Sequence, residues 1–393
     1  MTFVGVDSSA REHTIHVTRD NGEKPYRFTI SNDLTGFQVL DHMLRSDTAV
    51  MVGFEMAHGP LVDFLRNRTY TLYSINPLKI KRFKETVQVA GDKNDNIDAL
   101  AIAEYLRSNM NRCRPMTQQS VEVEKLKHLS IVHARLTEEH ARYLNKLHFA
   151  VREYFGVHEG LFGEFGGKTQ LALLQQYTTF EDLSRATNEE LTRFLQDHSY
   201  RNKIWIDKII TKIRAYKSIV SPDRAYAYPF EVTCLCTILG NLKASLERIE
   251  KEMVVIVAQH PLGHVFRSLP GAGTILSAKM LALFGDNTDR FTDANGAQCL
   301  FGTAPRNYQS GSYHKVVMRR ACNKSARACL YTFAFASLRL SPWARAYYDA
   351  QRARGKTHSV SIRALSNKWV PRIFSMWKHG TAYDIAYKNR KIA

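Results

Sequence analysis

Phe3-Val4-Gly5-Val6-Asp7 decides how the first third of this chain reads: a short apolar run ending on an acid, as expected for a buried strand. Outward from it, His13-Thr14-Ile15-His16-Val17-Thr18 and Tyr26-Arg27-Phe28-Thr29-Ile30 alternate well enough to be its neighbours in a meander. Asn32 to Leu44 has helical spacing, with Phe37, Leu40 and Leu44 on one face and Asn32 or Asp33 as cap. Ala49-Val50-Met51-Val52-Gly53-Phe54 is another buried strand, closed by Glu55. A helix is predicted after Pro60, then a strand from Thr71 to Ile75 stopped by Asn76-Pro77, then a helix over 94–107. Strands followed by alternating helices predict a mixed α/β layer domain over about residues 1–110.

Acids mark the likeliest chemistry in that domain by position alone. Asp7 and Glu55 each close a predicted central strand, where open α/β sheets place their ligands. Asp95 and Asp98 lie three apart on one helix and therefore share a face. Four carboxylates drawn to one point repel one another, so such a site needs cations. Hard divalent ions with oxygen ligands meet that need, and two of them clamp the attacking and leaving oxygens of a phosphodiester. Each acid also has a structural reading: Asp95 as a helix cap, Asp98 on a solvated face, Asp7 capping a turn with Ser8 and Ser9. Glu55, between Phe54 and Met56, sits where a structural acid is expensive.

Charge points to a polyanion partner. The 393 residues carry a formal net charge of +18, and from Arg306 to Lys391 there are 18 Lys and Arg against two acids, Asp349 and Asp384. Nearly all the excess thus lies in the last quarter of the chain, which favours salt-sensitive nucleic-acid binding over small neutral ligands. The six cysteines form no C-x-x-C pair, which excludes a zinc module and reads as buried thiols in a reducing compartment. No apolar stretch reaches 18 residues, so no membrane span is expected. The opening Met1 to Asp7 lacks a signal-peptide pattern, and a cytoplasmic protein is expected.

The middle is helical. Gln118 to Tyr154 and Val232 to Val257 each carry an apolar stripe near helical or heptad period, suited either to pairing as an antiparallel arm or to a dimerising coiled coil. Between them, a basic segment around 160–225 holds Arg193, Lys208 and Lys212 near Tyr200 and Trp205, and reads as a solvated helical face or as a small helical insertion. The expected domains are 1–115, 116–260 and 261–393.

Leu269-Pro270-Gly271-Ala272-Gly273 opens the last region as a helix-hairpin-helix-like turn, Gly271 and Gly273 leaving N–H groups free for phosphate at a helix start. An irregular loop is then predicted to present Ser310 between Gln309 and Gly311, near Arg306, His314, Lys315, Arg319 and Arg320 as phosphate clamps or, for His314, as base. On residues alone Ser310 is a turn serine before a glycine. Further on, basic amphipathic helices with Tyr347, Tyr348, Trp369 and Trp377 suit a backbone-tracking groove or a core.

Gly5-Val6-Asp7, Phe54-Glu55, Ile75-Asn76-Pro77 and Lys93-Asn94-Asp95-Asn96-Ile97-Asp98-Ala99 resemble the amino-terminal motifs of the DEDD transposases of insertion sequences, a family that includes Piv-type invertases and bridge-RNA-guided recombinases. The stretch Gly302-Thr303-Ala304-Pro305-Arg306-Asn307-Tyr308-Gln309-Ser310-Gly311-Ser312 is similar to the carboxy-terminal domain of the same family. It departs at Asn323-Lys324-Ser325-Ala326, where the family commonly has a glycine at the fourth place. The resemblance implies a RuvC-like, ribonuclease-H-fold domain in which Asp7, Glu55, Asp95 and Asp98 bind magnesium, with manganese as the alternative ion. It further implies a mainly helical transposase domain with Ser310 as nucleophile and Ser312 as fallback. Donor and target double-stranded DNA, a guide-like non-coding RNA and a dimer or tetramer are the implied partners. A RuvC-like endonuclease using water is the rival reading, and a catalytically dead nucleic-acid scaffold is a second.

Overall fold

In the computed structural model, Thr2–Ser8 (β1) pairs antiparallel with Glu12–Arg19 (β2), which pairs antiparallel with Tyr26–Ser31 (β3). After helix Leu34–Leu44 (α1), Val50–Phe54 (β4) runs parallel to β1, and after Pro60–Arg66 (α2), Thr71–Ser74 (β5) runs parallel to β4. Pro77–Val87 (α3) and Asp95–Asn109 (α4) follow, and the sheet order is β3-β2-β1-β4-β5. The structure describes residues 1–55, 59–87, 95–155, 165–198, 201–216, 228–311 and 313–384, in two compact units, Met1–Gln119 and Ser120–Ala393.

Strand alternation builds the first unit. Val4 and Val6 point into a core with Phe37, Leu40, Leu44 and Leu65 from α1 and α2, whereas Phe3 and Met51 join Ile80, Ile102 and Leu106 from α3 and α4. Each such buried side chain contributes about 1.5–3 kcal/mol of burial. Of the two candidate caps for α1 it is Asp33 that serves, accepting the Gly36 N–H at 2.9 Å. No element was expected between Pro77 and Asn94, yet α3 starts there, with Asn76 Oδ1 accepting the Leu78 N–H at 2.9 Å.

Gly5 sits where α4 crosses β1. A Cβ there would lie 2.0 Å from the Ala99 carbonyl oxygen and 2.6 Å from the Ala103 nitrogen. On β4, a Cβ at Gly53 would meet Ile102 Cγ2 at 2.8 Å. Backbone-to-backbone approach of this kind is open only to glycine.

In the second unit Val121–Ala150 (α5) leads to four short helices, Lys168–Gln176 (α6), Phe180–Arg185 (α7), Asn188–Asp197 (α8) and Lys203–Ala215 (α9). Tyr228–Gln259 (α10) then runs back along α5, so the two striped helices pair within the chain as an antiparallel arm. At one end Leu147, Ala150, Val232 and Leu235 share a core with the short helices, so the described part of the basic segment is helical and packed on the arm. At the other end Val123, Leu126, Met253 and Ile256 share a core with the remaining elements. These are the helices Gly263–Arg267 (α11), Gly273–Phe284 (α12), Ala294–Leu300 (α13), Lys324–Ser337 (α14), Pro342–Ala353 (α15) and His358–His379 (α16), while the strands Arg306–Ser310 (β6) and Tyr313–Val317 (β7) add no residue to that core. Asn323 enters α14 without the family's glycine, its Oδ1 accepting the Ala326 N–H at 3.0 Å.

One open alternative is decided and one expectation is corrected. Trp369 and Trp377 are fully buried, their indole N–H groups donating to Ser337 Oγ at 3.0 Å and to the Gly285 carbonyl at 2.7 Å, so they hold the core and offer no stacking face. Of the six free cysteines only Cys236 and Cys329 are buried; Cys234 is exposed because it lies off the arm face that carries Leu235, Cys236 and Leu239. Among the described residues no helix is long and apolar enough to cross a membrane.

The packing at Gly5 makes a direct prediction. Gly5→Ala forces α4 off β1 and costs about 1–3 kcal/mol, as overpacking does. Gly240→Ala, in α10 with nothing within 4 Å of the added carbon, is neutral or stabilising. Thermal melts of the two variants compare them, and equal melting temperatures would contradict the close approach.

Candidate functional site

The alternation that turns Phe3 and Gly5 toward α4 turns Asp7 the same way, and Met51-Gly53-Glu55 repeats the pattern on the neighbouring parallel strand. Val6 pairs with Phe54, so Asp7 and Glu55 leave the sheet side by side at the carboxyl ends of β1 and β4. Both are partly buried. Asp98 precedes Ala99, the residue that touches Gly5, and α4 therefore carries it to the same end of the sheet. The Asp95 side chain lies outside the described residues, as do Lys93 and Asn94.

Electrostatics tie these groups together. Burial pushes the Glu55 carboxyl above its ordinary range, the Lys84 ammonium pulls it back and the Asp7 charge raises it further. Lys84 Nζ forms an ion pair with Asp98 Oδ1, both side chains about a quarter exposed. A lysine from α3 thus stands between Glu55 and Asp98. Sequence reasoning missed it, although Lys79, Lys81, Arg82 and Lys84 form a visible basic run after Asn76-Pro77. Among the described residues no three His, Cys, Asp or Glu side chains are grouped to hold a metal ion. The donor chemistry nonetheless suits a hard cation, since Asp7, Glu55 and Asp98 bring carboxylate oxygens to one end of the sheet and Lys84 already pairs with Asp98 there.

Ser310 lies in the second unit, and here the structure corrects the expected irregular loop. Ser310 is the last residue of β6 and pairs with Tyr313 across a two-residue turn, with Gly311 at φ +55. Gly-Ser between alternating segments is a hairpin signal, and positive φ at Gly311 is what a tight hairpin turn demands. Every residue of β6 is exposed, and so is β7 up to Val316. Cross-strand partners share a face, so Ser310 and Tyr313 lie with Tyr308 and Lys315 and with Arg306, whose guanidinium sits 4.7 Å from the Tyr308 ring centre. His314 pairs with Gln309 on the opposite face. Arg306 and Lys315 therefore share the face of Ser310, and His314 lies on the other, not placed as its base.

The remaining candidates scatter. Arg319 and Arg320 follow β7, Arg319 half-buried and Arg320 exposed. Gly271, at φ +80, is fixed by packing, because a Cβ there would lie 2.7 Å from the Ala336 carbonyl of α14, while Gly273 opens α12 toward free space. Ser312 lies outside the described residues.

Comparison with known proteins finds family matches in two stretches of the chain. Residues 4–156 match the DEDD transposase family model, and residues 263–349 match that of the transposase IS116/IS110/IS902 family. The chain is 27% identical over 380 residues to the protein named as the mini-circle transposase for IS117 in Streptomyces coelicolor, covering 94% of this chain and 92% of that one. It is 27% identical over 295 residues to the 43.6 kDa protein of insertion element IS110 in the same species, covering 74% and 72%. The 44.8 kDa protein of insertion element IS116 in Streptomyces clavuligerus is 22% identical over 394 residues, covering 95% and 94%. The chain belongs to the DEDD-type transposases of insertion sequences.

Lys84 supplies a test of the carboxylate cluster. Lys84→Met leaves Asp98 and Glu55 without their counter-charge, and should cost about 1–2 kcal/mol in EDTA, the scale of a charge-assisted hydrogen bond. Saturating magnesium should close most of that gap. Melting curves in EDTA and in magnesium measure both, and a deficit that magnesium leaves unchanged would count against a cation site here.

Proposed function

We propose that this DEDD-type transposase cuts and rejoins DNA by site-specific strand exchange, with Ser310 as nucleophile and Asp7, Glu55, Asp95 and Asp98 as ligands of magnesium or manganese. The observation that carries the reading is the convergence of Asp7 and Glu55 on the face that α4 brings Asp98 to. The sheet order, antiparallel through β3, β2 and β1 and parallel through β4 and β5, supports a RuvC-like, ribonuclease-H-fold domain. A divalent ion on these carboxylates supplies charge that stabilises a phosphodiester under attack.

The serine half works with groups on its own face. Arg306 and Lys315 bind and orient a phosphate at the exposed tip, and the ribbon leaves Ser310 open to a DNA strand. Ser310 Oγ attacks phosphorus, the bond to the leaving deoxyribose oxygen breaks, and the proton lost by serine is balanced by one taken up on that oxygen. A phosphoserine link results, and the hydroxyl of a partner strand resolves it, conserving the bond energy. We assign the metal half to residues 1–115, the helical linker with its insertion to 116–260 and the serine half to 261–393. An element-encoded RNA would specify donor and target sequences for a dimer or tetramer acting in the cytoplasm on the nucleoid.

One observation favours the rival reading. Among the described residues Ser310 Oγ has no hydrogen-bond partner, so no base stands beside it, whereas a RuvC-like endonuclease using water requires only the carboxylates. A suicide substrate with magnesium separates the two. Strand exchange predicts a covalent DNA–protein adduct mapping to Ser310, and a nick without an adduct favours the nuclease.

Three substitution outcomes follow from these assignments. Asp7→Ala and Glu55→Ala abolish cleavage with nucleic-acid binding retained, because binding rests on the basic carboxy-terminal surface; near-normal recombination by Glu55→Ala would sink the metal-site assignment. Ser310→Ala drops exchange to background, while Ser312→Ala loses at most a loop hydrogen bond of about 1 kcal/mol. The reverse pattern would move the nucleophile to Ser312. Mixing Ser310→Ala with Asp7→Ala protein restores activity only where the half-sites meet between chains.

A further inference from the structure

A cavity of about 340 Å³ opens at the foot of the β6–β7 ribbon, between Gly302–Pro305 and Val316–Met318 on one side and α14, α15 and α16 on the other. Its volume falls in the range of pockets that hold small ligands, roughly 300–1,000 Å³. Arg319, Arg327, Lys356, Arg363 and Lys368 line it, and no Asp or Glu does. Among the described residues none of these five cations forms an ion pair.

Two of the five have neutral partners. Arg327 Nη1 donates to the Arg319 carbonyl at 3.0 Å, and Lys356 Nζ donates to Gln351 Oε1 at 2.6 Å. Arg319 Nε is buried with no hydrogen-bond partner at all, a cost that a native site carries only when something else satisfies it. Five like charges in one concavity repel one another, and within the chain from Arg306 onward only Asp349 and Asp384 could oppose them. Asp349 is taken by Arg345 at 3.2 Å. Among the described residues no acid lines the cavity to balance them, a place an outside anion would fill. Tyr331 and Tyr347 line the same space and add aromatic surface to the anion preference.

We propose that this cavity receives one nucleotide of a DNA strand, its phosphate held by Arg319, Arg363 and Lys368 and its base set against Tyr347. Four residues of strand separate Val317 at the cavity rim from Tyr313, the partner of Ser310, a span of about 14 Å at roughly 3.4 Å per residue. At about 3.4 Å per stacked nucleotide, the bound nucleotide lies about four positions from the phosphate at the serine, fewer if the strand is stretched. Holding a strand there fixes its register on the ribbon, a positioning role distinct from the chemistry at Ser310. The choice of DNA as occupant rests on the strand-exchange reading above; anion and base binding in the cavity do not.

The test reads binding alone, in the full chain carrying Ser310→Ala, so that failure of the nucleophile assignment leaves it intact. Fluorescein-labelled single-stranded dT12 is titrated by anisotropy at several salt concentrations. Adding Arg363→Gln with Lys368→Gln should raise Kd at least tenfold and flatten the salt slope by up to about 0.7, the value of the one phosphate contact. Tyr347→Leu should raise Kd about fivefold or more with the slope unchanged, the signature of lost stacking. Should Tyr347→Leu fail to fold by its melting curve, the double variant decides, since Lys368 is exposed and Arg363 only half-buried. Folded variants that bind dT12 with unchanged affinity and slope would overturn the proposal. Tighter cavity-dependent binding of rU12 than of dT12 would overturn the assignment to DNA.

Discussion

The contact of α4 with β1 at Gly5 is the constraint from which the first unit takes its shape. Without a side chain at Gly5, the Ala99 carbonyl and Ala103 nitrogen of the helix come against the strand itself, and Gly53 gives the same clearance to Ile102 on β4. That approach fixes the helix in rotation as well as height, because only its Ala99–Ala103 face is flat enough to fit. Asp98 then has one place to be, at the strand ends where Asp7 and Glu55 emerge. A bulkier residue at either glycine would leave the core apolar and plausible while moving one carboxylate away from the others. The placing of these carboxylates depends on two absent side chains.

Much of this was legible in advance, for a physical reason. Buried parallel strands read as apolar runs, and Phe3 to Asp7, Ala49 to Glu55 and Thr71 to Ile75 announced themselves with their terminal acids or with Asn76-Pro77. The pairing of acids at adjacent strand ends followed from those positions. Lys84 was not legible because α3 has a basic exposed side and few buried residues, so its periodicity does not stand out. The ribbon was missed for a related reason: its side chains face solvent on both sides, and a strand with no buried face has no apolar alternation to detect. Only the Gly311-Ser312 turn marked it. The cavity beneath it draws residues from segments up to 66 positions apart, Gly302 to Lys368, and no local pattern encodes that.

The arm illustrates what periodicity leaves open. Stripes on α5 and α10 fit a dimer or an intrachain pair equally well, and the choice falls to what each end can bury. Both ends of the arm enter cores, one with the helical insertion and one with the carboxy-terminal helices, so folding within one chain is rewarded at two places. Between those ends polar contacts take over: His133 binds Glu250 through Nε2 at 2.9 Å, and Lys279 from α12 reaches its Nδ1 at 3.0 Å. Burial holds the Lys279 ammonium below its ordinary range, so this junction tolerates a weakened charge to link three helices.

The two proposed half-sites differ in how far the protein has prepared them. Asp7 and Glu55 stand at the ends of paired buried strands, and the close packing of α4 at Gly5 sets where Asp98 lies relative to them. The serine stands on a two-stranded ribbon with no core of its own, and such ribbons are marginal in water when isolated. Its free backbone edges and its Arg306, Tyr308 and Lys315 face lack a partner surface within the ribbon, while the concavity at its foot lacks negative charge. A phosphate backbone supplies both what the ribbon lacks and what the concavity lacks, so ordering the serine and engaging the strand become one event. On the proposed reading, chemistry coupled in this way would wait for DNA: Ser310 would acquire a fixed position only when the strand is already in register.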